Sequence, residues 1–125
     1  MILTVLQVAL GGAIGASCRY LLGVGVFRLV GPGFPLGVLS ANIIGCGLMG
    51  MLVVFLGSKG LSHWNPFLAT GILGGFTTFS SFSLEAWTMI ERGQGGNAVL
   101  YVGLSLLFSF AALIGGAALM RSVLA

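Results

Sequence analysis

The chain has 125 residues, of which 58% are hydrophobic and 6% charged, with a mean hydropathy of +1.15. A soluble domain carries roughly a quarter charged residues, so there is too little charge to coat a water-facing surface, and no soluble domain fits beside the apolar segments. The net charge of +3 rests on Arg19, Arg28, Lys59, Arg92 and Arg121, scattered singly with no patch or stripe, which argues against a nucleic-acid partner.

A membrane-spanning helix needs ~20 mostly apolar residues, and the sequence divides into four such spans forming a single domain over residues 1–125. The first covers about residues 2–26 and is interrupted by Arg19, whose guanidinium can snorkel to the nearer interface. It lacks the basic n-region of a signal peptide and outruns an h-region, so it reads as a retained helix. The Gly31–Pro35 cluster ends it. The second span, about 36–56, contains Asn42 and no charge, and Gly57 stands where a helix terminator is favoured. A loop from Ser58 to Trp64 follows, carrying Lys59 and His63. Asn65 then reads as an N-cap with Pro66 at the first helical position, opening a third span over about 67–90. After a glycine-rich loop, Asn97 is a candidate cap for the fourth span, about 98–120, with Arg121 at its end. Cys18 and Cys46 sit in apolar stretches, where cysteine behaves as a small hydrophobe, so neither a disulfide framework nor a metal site is expected.

Small residues recur at helical spacing in Gly11/Gly15, Gly12/Ala16, Gly71/Gly75, Ala111/Gly115 and Ala112/Gly116. Such pairs let backbones approach closely in lipid. Counting basic residues near the helix ends gives Lys59 and Arg121 on one side against Arg28 and Arg92 on the other. That tie leaves little to fix one orientation. Insertion both ways is expected, and an antiparallel homodimer follows, since four short helices alone enclose little interior.

The third span is the informative one. Residues Gly71 to Ser83 place glycines and hydroxyl residues in the middle of a crossing. Glycine costs ~1 kcal/mol against alanine in a helix, and the Thr/Ser run offers competing local hydrogen bonds. A break in the helix is predicted there. Broken backbone at membrane depth survives only where protein or a polar cavity surrounds it, and such discontinuous helices commonly hold ion sites. Phe79 and Phe82, three apart, share a face if the helix resumes; they either pack or turn positive ring edges toward an anion. Tyr101, Ser105 and Ser109 form a stripe at i, i+4 and i+8 on the fourth span, serving either interhelical hydrogen bonding or a polar track. Asn42 has the same two readings, helix glue or pore-lining donor. Glu85 is placed to pair with an arginine at the interface. No nucleophile–base–orienter set exists, so nothing argues for an enzyme.

At these residues the chain closely resembles the Fluc (CrcB) fluoride channels over essentially its whole length. The resemblance is carried by the Gly11–Tyr20 segment, Asn42, the Gly74–Glu85 block and the Tyr101/Ser105/Ser109 stripe. It implies an all-α, four-helix channel with a broken third helix, assembled as a dual-topology antiparallel homodimer in the bacterial inner membrane. It implies passive fluoride export, with Phe79 and Phe82 as the phenylalanine box, Asn42 as a donor near the pore entrance and Tyr101, Ser105 and Ser109 as the polar track. Ser80 and Ser81 add hydroxyls near the box; Ser81 is a conservative variant where threonine is also common. It further implies a structural sodium held by backbone carbonyls of Gly74 and Thr77 from both subunits, while Arg19 and Glu85 are candidates for a pore mouth or an ion pair.

Two rival readings differ in class. A small proton-coupled multidrug exporter would match in length, helix count and dual topology, but such a transporter needs a membrane-embedded carboxylate, placed by its family in the first helix, where this chain offers only Arg19. A non-conducting scaffold subunit would leave the broken third span without a purpose.

Overall fold

The computed structural model describes residues 1–125 and is helical throughout. α1 spans Ile2–Val30 and α2 Leu36–Ser58. The third crossing is composite: a 3-10 turn at Ser62–Trp64, a π-helix at Pro66–Leu73, a single turn α3 at Gly74–Phe76, and α4 at Phe79–Glu91. α5 covers Gly95–Leu124. Four helical stretches are therefore long and apolar enough to cross a membrane, as the composition requires.

The helix ends differ from the sequence reading, for local reasons. α1 runs on to Val30, beyond residue 26, until Gly31 takes up a positive φ of 84°. Gly57 lies inside α2; the terminator is Gly60, at φ 66°, where the Leu61 amide reaches back to the Leu56 carbonyl at 2.8 Å. This is the left-handed closure that glycine tolerates best. Gly93 repeats it after α4, with φ 77° and the Gln94 amide on the Met89 carbonyl at 2.8 Å. Asn65 stands at the N-cap position with Pro66 at the first helical position, as expected, but its backbone is already helical and its side chain makes no cap bond, because the 3-10 turn carries the chain into the crossing. Asn97 is not a cap. α5 starts earlier, at Gly95 with Gln94 in the capping position, so Asn97 falls within the first turn, and Arg121 lies in the last turn of a helix that continues to Leu124.

Two backbone-to-backbone seams organise the bundle. In the first, α1 packs on the π-helix and α3: a Cβ on Gly71 would stand 2.9 Å from the Gly11 Cα, and one on Gly75 only 2.8 Å from the Gly12 carbonyl. In the second, α2 packs on α5, with Gly50 against the Leu113 carbonyl and Gly116 against that of Gly47. The small-residue pairs Gly11/Gly15, Gly71/Gly75 and Ala112/Gly116 thus make the contacts their spacing suggested, whereas Gly115 has open space around it and faces away. The effect of a methyl group should follow this division. Gly15→Ala drives a Cβ into the Ile72 carbonyl and Gly116→Ala into that of Gly47. Since backbone cannot yield, each should cost about 1–3 kcal/mol and lower the melting temperature in detergent. Gly115→Ala should leave it within experimental scatter.

The core is small and off-centre. Leu39, Phe82, Ala86, Met89, Ala98 and Tyr101 cluster where α2, α4 and α5 meet. Only 16 of 125 residues are buried, so most of the apolar surface must be covered from outside the single chain. This arrangement leaves α4 beside a groove rather than inside a closed bundle.

Candidate functional site

The site begins at the break in the third crossing. Thr77 and Thr78 are extended, with φ/ψ of −85/156° and −149/126°. Three intrahelical bonds that a continuous α-helix would form from residue i to i−4 are diverted here. The Thr78 amide, which would bond the Gly74 carbonyl, donates instead to Asn42 Oδ1 at 2.8 Å. The Ser81 amide, which would bond the Thr77 carbonyl, donates to Thr78 Oγ1 at 3.2 Å as an N-terminal cap of α4. The Gly75 carbonyl accepts from Arg19 Nε at 3.3 Å. Asn42 completes a two-point clamp by donating from Nδ2 to the Thr78 carbonyl at 3.0 Å. It therefore serves as the glue between α2 and the break, while its side chain also lines the neighbouring groove. The carbonyls released from their helical partners by these exchanges include those of Gly74 and Thr77.

Beyond the break, α4 resumes and carries two rings into the groove. Phe79 and Phe82 have centroids 5.5 Å apart, and Phe82 meets Tyr101 at 5.3 Å. Tyr101 in turn takes the edge of Phe34 at 5.5 Å. The two phenylalanines differ in setting: Phe82 is 8% exposed within the core, whereas Phe79 is 74% exposed at the rim. The groove measures about 280 Å³, and Asn42, Thr78, Phe79, Phe82, Ser105 and Ser109 all line it. The hydroxyls of Tyr101, Ser105 and Ser109 are buried without any hydrogen-bond partner. Leaving a buried polar group unpaired costs about 1–3 kcal/mol. Three orphans at four-residue spacing along one helix therefore point to a hydrogen-bonding guest.

A second, wider cavity of about 550 Å³ lies toward the α1–α2 connection, and Arg19, Arg28, Phe34 and Glu85 line it. Arg19 and Glu85 thus share a vestibule without the expected ion pair, since Arg19 Nε turns inward to the Gly75 carbonyl at the break instead of snorkelling to the interface. Phe34 stands between that vestibule and Tyr101. Ser80 and Ser81 lie near the break rather than in the groove: Ser80 Oγ is 3.4 Å from Thr78 Oγ1, and Ser81 contributes its backbone amide to the cap. Sequence reasoning missed Thr78, whose side chain caps α4 and whose peptide Asn42 holds. It also missed Phe34 and Cys46, the latter lining the groove one turn beyond Asn42. The Asn42-to-Cys46 spacing was a usable signal; Phe34, in a Gly/Pro loop, gave none.

Comparison with known proteins shows the family. A family model described as CrcB-like protein, Camphor Resistance (CrcB), matches residues 6–117. The chain is 63% identical to the fluoride-specific ion channel FluC of Ruegeria sp. (strain TM1040) over 99% of both chains. It is 58% identical to the protein of that name in Cereibacter sphaeroides (strain ATCC 17029 / ATH 2.4.9) over the full length of both. In Roseobacter denitrificans (strain ATCC 33942 / OCh 114) the value is 52%, over 96% of this chain and 97% of the relative. A family match spanning most of the sequence, with relatives this similar from end to end, places the chain in one family: it belongs to the CrcB family.

Proposed function

We propose that the chain is a fluoride-selective channel that lets fluoride leave the cytoplasm passively and so lowers its toxicity. The observation that carries this reading is the groove in which Phe79 and Phe82 stand with the partnerless hydroxyls of Ser105 and Ser109. Fluoride is small and strongly hydrated, so a pore must replace its water with close donors while binding weakly enough for exit. Hydroxyl groups supply such donors, as do the positive edges of aromatic rings. Asn42 spends one amide hydrogen on Thr78 and keeps a second to offer. No lysine lies along this track, so no full charge traps the ion. The name shared by the relatives above, fluoride-specific ion channel, supports the same conclusion. A proton-coupled exporter is disfavoured, because α1 contains no carboxylate.

The channel works as an antiparallel, dual-topology homodimer in the bacterial inner membrane. Support comes from the two-against-two basic count, the small fraction of buried residues and the outward-facing ring of Phe79. The dimer would also complete a cation site. The carbonyls of Gly74 and Thr77 lose their helical partners to Asn42 and Thr78, and an unpaired carbonyl in a membrane costs several kcal/mol. These oxygens are hard ligands that fit a sodium ion, which would staple the two breaks together as a structural element and not as cargo. Withdrawing sodium from the purified protein is therefore expected to reduce fluoride flux and dissociate the dimer together. Intact dimers conducting at full rate in sodium-free medium would contradict the sodium site.

A further inference from the structure

Cys46 is the groove-lining side chain that carries a thiol, and it is free and half-buried. It lies four residues beyond Asn42 on α2, so both share one helix face. Beside that face α2 packs closely on the break at Gly45, where a Cβ would collide with the Thr77 side chain, and makes ordinary contact with α5 at Gly47. The same groove is lined by Ser105, only 4% exposed, whose hydroxyl is buried and unpartnered. The thiol therefore sits among groups that await a guest.

We propose that Cys46 is a modification site inside the ion path, where a small uncharged thiol electrophile reacts and closes conduction. This rests on the channel reading above. With methyl methanethiosulfonate, the thiolate form of Cys46 attacks the divalent sulfur. A new disulfide bond joins Sγ to the thiomethyl group, the sulfur–sulfur bond of the reagent breaks, methanesulfinate leaves with the electron pair, and the thiol proton passes to water. The added group occupies the groove beside Asn42 and Ser105, where fluoride must pass. The other cysteine, Cys18, is exposed on α1 and lines none of this groove, so removing it isolates the effect.

The test uses the full chain carrying Cys18→Ala in proteoliposomes, with fluoride efflux followed before and after the reagent and the adduct located by mass spectrometry. Labelling of Cys46 should lower flux by about tenfold or more, because conduction is set by the narrowest lining of the path, and dithiothreitol should restore it. In Cys18→Ala/Cys46→Ser, whatever flux remains should not respond to the reagent. Cys46 labelled without loss of flux, Cys46 unlabelled in the conducting protein, or equal inhibition of the serine variant would each overturn the site. Absence of flux before treatment would contradict the channel reading itself, a result separate from reagent insensitivity in a conducting chain.

Discussion

Asn42→Ala is expected to unseat the break in the third crossing and to abolish conduction. Asn42 holds both polar groups of Thr78, accepting from its amide at 2.8 Å and donating to its carbonyl at 3.0 Å. Alanine leaves both unpaired, at about 1–3 kcal/mol each, so the total of roughly 2–6 kcal/mol is a large share of the ~5–15 kcal/mol by which an ordinary domain is stable. The released Thr78 amide would then be free to return to the Gly74 carbonyl, removing the irregular backbone on which the groove depends. Thermal melting in detergent, read beside fluoride efflux, measures both consequences. Asn42→Asp separates them. Its carboxylate keeps the acceptor for the Thr78 amide but loses the Nδ2 donor and places a negative charge in the anion path, so stability should recover in part while flux stays low. An alanine variant that melts with the parent and conducts normally would mean that the clamp is idle.

Phe79→Ile and Phe82→Ile should each reduce fluoride flux by about tenfold. An aromatic edge contributes up to about 1.5 kcal/mol beyond its area burial, and 1.4 kcal/mol corresponds to a factor of ten. Isoleucine keeps apolar bulk and removes the ring. The two substitutions should part company in stability. Phe82 is buried against Tyr101 in the core, so its replacement should also lower the melting temperature. Phe79 stands 74% exposed at the rim, so its loss should appear in flux with little change in melting, which makes it the cleaner probe of an ion–ring contact. Unchanged flux in a folded Phe79→Ile protein would reduce the pair to packing.

Much of this arrangement was legible in the sequence because it depends on composition and spacing. Four apolar runs require four crossings, glycine and hydroxyl residues at Gly74–Ser83 disfavour continuous helix, and pairs such as Gly11/Gly15 need a partner backbone. The remainder depends on contacts between distant residues. Nothing local to Asn42 says that its amide will meet Thr78, 36 positions later. Helix ends were misplaced where several candidates stood close together: Gly57 and Gly60 differ in which one takes a positive φ, and Asn97 is a capping residue type that falls inside the first turn of α5, while Asn65 holds the N-cap position without a side-chain cap bond. The π-helix at Pro66–Leu73 has no compositional mark. Ala111/Gly115 shows the limit of small-residue spacing, since the same motif one residue on, Ala112/Gly116, faces α2 while Gly115 faces open space.

The purified protein, with no other kind of subunit, should form a passive path that accepts fluoride and refuses larger halides. The most direct measurement loads liposomes containing the purified protein with either potassium fluoride or potassium chloride, and starts efflux by adding a potassium ionophore to carry the balancing charge. Fluoride should leave promptly without any proton gradient, while chloride should stay inside. Release of both halides at comparable rates, or fluoride release only when a proton gradient is imposed, would contradict it.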